Sequence, residues 1–104
     1  MISYNVFFSP KEGVSEDELL KTVHAFLSWL QREQRLPGYR VLRVTDAASF
    51  QALPRFQAII DFPSRAEFDT AITFMGIPAN LNDSPHGRLM RSVKDFKVSF
   101  TEDV

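Results

Sequence analysis

The chain has 104 residues, a net charge of -1 and no cysteine. That length predicts one domain spanning 1–104, and ten phenylalanines supply bulky apolar surface for a core without staples. Missing thiols exclude a disulfide framework and thiolate metal sites, and the balanced charge argues against general nucleic-acid or anionic-membrane binding.

Ile2 to Phe8 alternates, with Ile2, Tyr4, Val6 and Phe8 on one face and Ser3, Asn5 and Phe7 on the other, as a strand does. Ser15 and Glu18 then form a capping box, so a helix starts here. Leu19, Val23, Phe26, Leu27 and Leu30 make its apolar stripe, and Pro37-Gly38 stops it. Tyr39 to Asp46 reads as a second strand and Phe56 to Phe62 as a third, joined by a turn over Ala47–Pro54. Ser64 and Glu67 form a second capping box, and Phe68, Ala71, Ile72 and Met75 follow at helical spacing up to Gly76. Ile77 to Ser92 is a long connection in which Ser84-Pro85 could open a short helix. Val93 to Thr101 is the last strand, with Phe96, Val98 and Phe100 on one face. The N-terminus has no basic leader or cleavage site and no run is long enough to span a membrane, so the cytoplasm is the expected location.

The order βαββαβ favours an α+β fold of the ferredoxin-like kind: a four-stranded antiparallel sheet with two helices on one face. The helix-facing rows are then Ile2/Tyr4/Val6/Phe8, Leu42/Val44, Phe56/Ala58/Ile60/Phe62 and Phe96/Val98/Phe100, apolar except for the hydroxyl of Tyr4. Phe26, Leu30, Phe68, Ile72, Ile60 and Val98 are expected in one core. The uncovered face carries Asn5, Phe7, Tyr39, Val41, Arg43, Gln57, Ile59, Asp61, Asp95 and Lys97 among others. Phe7, Val41 and Ile59 would make an exposed apolar patch, which marks an interface.

That face could bind RNA or a second copy of the chain. The RNA reading fails at the stacking positions: Gln57 and Ile59 stand where an RNA-recognition motif presents aromatic rings. No nucleic-acid partner is expected.

Element order, length and the half-apolar open face over Ile2–Thr101 resemble the dimeric α/β-barrel superfamily. That group includes antibiotic-biosynthesis monooxygenase-like and stress-responsive barrel proteins. The resemblance implies a homodimer, with two sheets packed through the open face into a barrel. It also implies a site in which Asn, Trp, Tyr or His surround a hydrophobic pocket and, as in the quinol-oxidising members, no metal or cofactor takes part. Asn5 matches a position where such members place an Asn. The haem-degrading members carry Trp and His on or near the second helix. Here Trp29 and His24 are on the first, so haem degradation is not implied.

Three residues are the candidates for a ligand site: Asn5, His86 and Arg88. His86 sits in the long connection and is the candidate catalytic group, since imidazole exchanges protons near neutral pH. Arg88 could hold an anionic or carbonyl group, and Asn5 could orient the ligand. Each also has a structural reading. Asn5 would bond Gln57 across the sheet, Arg43 would pair with Asp61 and Lys97 with Asp95, and His86 would be an ordinary loop residue. The function expected is binding of a small hydrophobic or aromatic molecule by a dimeric barrel. The alternatives are a cofactor-independent monooxygenase or isomerase, and a protein-interaction module.

Overall fold

The computed structural model describes residues 1–33, 38–75 and 85–104. Strand β1 spans Ile2–Pro10, α1 Glu16–Arg32, β2 Tyr39–Arg43, β3 Phe56–Phe62, α2 Arg65–Met75, α3 Pro85–Met90 and β4 Val93–Glu102. The four strands form one antiparallel sheet in the order β2-β3-β1-β4. This is the ferredoxin-like arrangement expected from the sequence. Among the described residues, no helix is long and apolar enough to cross a membrane.

Local chemistry accounts for the elements. The Ser15 side chain accepts from the Glu18 amide at 3.1 Å, which satisfies a free amide in the first turn of α1. Three acidic residues lie in that turn, where the positive end of the helix dipole favours them. Ser64 caps α2 in the same way, accepting from the Glu67 amide at 3.3 Å. Pro85 opens α3 at a position where the missing N–H costs nothing. Leu19, Val23, Phe26, Leu27 and Leu30 of α1 are buried, with Phe68 and Ala71 of α2, on the row Phe56, Ala58, Ile60 and Phe62 of β3. Trp29 packs at the edge of this core against Phe26 and Phe74.

The structure corrects the reading of β2. Its register places Tyr39 opposite Ile60, Val41 opposite Ala58 and Arg43 opposite Phe56. Directly paired residues share a face. Tyr39, Val41 and Arg43 therefore face the helices, and Arg40 and Leu42 face the open side. The strand also ends at Arg43 rather than Asp46. Two contacts fix this phase. The Tyr39 hydroxyl lies 3.2 Å from Ser28 Oγ of α1. Arg43 lies over the Phe56 ring, 5.6 Å from its centroid, and bonds Glu16 at 3.5 Å. Glu16 also accepts from Arg55 Nε at 2.9 Å, so one carboxylate ties the start of α1 to the end of β2 and to the residue before β3. Arg43 and Asp61 lie on opposite faces and do not pair; Asp61 accepts instead from Ser3 Oγ.

A second correction concerns the far edge. Asp95 has a positive φ of 55°, and the β1–β4 register shifts between Phe7 and Ser9. Two β4 residues, Asp95 and Phe96, thus oppose Phe8 in a bulge. Beyond it the helices leave part of the sheet bare. Phe96, Val98 and Phe100 are 40%, 38% and 57% exposed, and Ile72 of α2 is 41% exposed. Val98 and Ile72 are therefore rim residues rather than core, because the helices close over β3 and β1 more fully than over the edge strand.

Candidate functional site

Between the helices and the sheet lies an apolar cavity of about 130 Å³. Every layer contributes to its wall: Tyr4 and Val6 from β1, Val23 and Phe26 from α1, Ile60 from β3, Ile72 from α2, Leu89 and Met90 from α3, and Phe96 from β4. The exposed apolar side chains of the rim surround it. Ile72, Met90 and Phe96 are part of the wall and are themselves partly open to solvent.

Tyr4 supplies the one side-chain polar group among the described lining residues. Its ring stacks on Phe100, with centroids 5.2 Å apart and planes 8° off parallel. Phe100 meets Phe68 edge-on at 5.4 Å, and Phe68 meets Phe62 edge-on at 5.5 Å. Such pairs hold a ring in place beyond what area burial alone does. Burial raises the phenol pKa above its usual 10.0, since the phenolate would lose hydration. At neutral pH the hydroxyl is therefore a hydrogen-bond donor and acceptor, not a base. No described residue hydrogen-bonds it.

Of the three residues proposed from the sequence, Asn5 and Arg88 lie away from this cavity. Asn5 follows Tyr4 in β1 and so points to the opposite face, where its Nδ2 donates to Thr101 Oγ1 at 3.1 Å rather than bonding Gln57. Arg88 is exposed on α3 and lines a different, open groove against α1. The backbone of His86 lies in α3, and its side chain falls outside the described part of the structure. The long connection does reach the cavity, through Leu89 and Met90. The signal for Tyr4 in the sequence is that it is the one hydroxyl in the alternating apolar rows of β1 and β3.

On the open face, register aligns Phe7 with Gln57 and Lys97, and Asn5 with Ile59 and Ser99. With Leu42 replacing Val41, the apolar group there is Phe7, Leu42 and Ile59. Leu42 is exposed, and Phe7 and Ile59 are half-buried.

Solved structures share this fold at low identity. A protein from Arabidopsis thaliana matches with a TM-score of 0.80 and 12% identity, over 100% of this chain and 96% of its own. A dimeric ferredoxin-like protein of unknown function from Jannaschia sp. CCS1 matches with a TM-score of 0.71 and 18% identity, over 98% of each chain. An antibiotic biosynthesis monooxygenase-like protein from Deinococcus radiodurans matches with a TM-score of 0.59 and 14% identity, over 100% of this chain and 93% of its own. These likenesses bear on fold, not on chemistry. The sequence matches no curated protein. The profile of a family of unknown function, DUF6614, matches residues 1–103, and the chain belongs to that family.

Proposed function

We propose that this DUF6614 chain binds a small neutral molecule, about one aromatic ring in size, in the cavity between sheet and helices. The observation that carries the reading is the cavity itself: about 130 Å³, walled by apolar side chains, with the Tyr4 hydroxyl as the one polar side-chain group among them. An apolar cavity of about 150 Å³ in another protein stays dry and takes up benzene. A charged ligand would lose its hydration here and gain no ion pair, so neutral molecules are favoured. Tyr4 would give a carbonyl or hydroxyl on the ring its hydrogen bond. Because the phenol is held protonated, it serves binding better than proton abstraction, and binding is favoured over turnover.

Burying about 150 Å² of ring surface is worth about 4 kcal/mol, which corresponds to a Kd of about 1 mM. At ten times that concentration the folded state gains about 1.4 kcal/mol, and the melting temperature should rise by about 5 °C or more. The test is a thermal-shift series with benzyl alcohol, benzaldehyde and toluene, with benzoate as the charged control. A rise with the neutral rings and none with benzoate supports the reading. No shift with any neutral ring at about ten times the expected Kd sinks it.

The second part of the proposal is the assembly. Phe7, Leu42 and Ile59 lie on the face turned away from the described helices, and a twofold copy would cover them with the same patch. Dimeric neighbours of the same fold support this.

A further inference from the structure

A second concavity is built on the other side of α1. Asp17, Lys21, His24, Ser28 and Arg32 recur at three- and four-residue intervals, so they form one stripe of the helix, turned away from Leu19, Val23, Phe26 and Leu30. Pro85 and Arg88 of α3 stand across from them, and the groove between is open, about 760 Å³. Its charge is out of keeping with the rest of the chain. The protein carries 12 basic and 13 acidic side chains. Among the described residues, the groove carries Lys21, Arg32 and Arg88 against the single carboxylate of Asp17.

Outside the groove, Arg43 and Arg55 share Glu16. Lys21, Arg32 and Arg88 have no ion pair with any described residue. Two polar groups of the groove, on Ser28 and His24, have a partner on β2. The Tyr39 hydroxyl lies 3.2 Å from Ser28 Oγ and 3.4 Å from His24 Nδ1. Three cations drawn from two helices, none of them ion-paired with a described residue, beside hydroxyl and imidazole groups suit an oxyanion with several acceptor oxygens. Guanidinium groups match such oxygens two at a time, and the ammonium adds a point charge.

We infer that the groove between α1 and α3 is a binding site for a small doubly charged oxyanion, of the phosphomonoester type. The site is separate from the apolar cavity, which has no charged wall among its described residues. It is also too local for a long polyanion. The chain as a whole is slightly acidic, so an extended nucleic acid would meet repulsion beyond the groove.

The experiment is a titration of inorganic phosphate at pH 7.5, followed by backbone amide shifts in NMR, at constant ionic strength set with sodium chloride. Shifts that saturate and centre on Lys21, His24, Ser28, Arg32 and Arg88 are expected. Arg88→Gln and Lys21→Gln should each weaken the apparent affinity about fivefold, in keeping with one lost charge-assisted contact at an exposed site. Lys11→Gln, at an exposed lysine before α1, should leave it unchanged. All of these positions are exposed, and the amide spectrum itself reports that each variant is folded. Shifts that stay linear, spread over the surface, or persist unchanged in Arg88→Gln and Lys21→Gln would overturn the site.

Discussion

The two faces of the sheet obey different rules, and β1 shows both within one strand. Tyr4 and Asn5 are neighbours in sequence. Tyr4 faces the helices, stacks on Phe100 and lines an apolar cavity. Asn5 faces away and makes one hydrogen bond to Thr101 on the adjacent strand. Around the cavity on the helix side, side chains are chosen for volume, and the one polar side-chain group among the described lining residues is the Tyr4 hydroxyl. On the open side, Phe7, Leu42 and Ile59 are interspersed with Asn5, Gln57 and Lys97. A single polar group in an apolar wall therefore carries more information than a dozen on the open face.

The contrast can be broken first from the helix side. Phe26 is buried in the core and also walls the cavity. Phe26→Ala should cost about 3–5 kcal/mol in urea unfolding and should enlarge the cavity enough to admit a second small ring. A cost under about 1 kcal/mol would mean that this face is not close-packed. From the open side, Ile59→Asp places a charge in the apolar group with Phe7 and Leu42. Wild type should scatter light as a particle of twice 11.9 kDa, and Ile59→Asp should dissociate at least about tenfold more readily, which is about 1.4 kcal/mol. A monomeric wild type at high concentration would remove the interface.

Tyr4 and Asn5 sharpen the comparison with smaller effects. Tyr4→Phe should weaken benzyl alcohol binding by about 1 kcal/mol, roughly fivefold, and leave toluene unaffected. Asn5→Ala should change neither ligand. Tyr4 also sets an alkaline limit. Below pH 10 its phenol is protonated in both folded and unfolded chains. As pH rises through the unfolded value of 10.0, the unfolded phenol ionises while the buried one resists, so folding stability falls. The extra loss above pH 10 should vanish in Tyr4→Phe, as followed by denaturant melts across that range. Smallest of all, His24→Ala on the exposed side of α1 should cost under about 0.5 kcal/mol, since its contact to Tyr39 is long, at 3.4 Å.

What could be read from the sequence follows the range of the forces involved. The capping boxes at Ser15 and Ser64 were legible because the side chain, the amide it caps and the helix lie within one turn. The faces of β1 and β3 were legible because apolar and polar positions alternate cleanly along them. In β2, Val41 and Leu42 are both apolar, so alternation allows either phase. The choice is made by pairing with β3 and by Glu16 reaching Arg43 from the start of α1. The bulge at Asp95 had no glycine to announce it. Ile72 and Val98 looked like core by pattern, and only the placement of the helices makes them a rim. For the same reason the sequence could name Arg88 but not its surroundings, since the stripe opposite it comes from another helix.

The bulge has a bearing on how the protein behaves in crowded solution. β4 is a ten-residue edge strand with a partly bare apolar row, the kind of border on which chains stack into fibres. At Asp95 the register shifts by one residue, and Lys94 and Lys97 fall on the same side of the sheet, opposite Ser9 and Phe7. The ladder is thereby interrupted and the border carries two like charges where a flat incoming strand would dock. Deleting Asp95 should straighten the strand and restore an unbroken row of hydrogen-bonding groups. The variant is then expected to aggregate at protein concentrations where the natural chain stays dispersed, a difference that sedimentation after incubation would reveal.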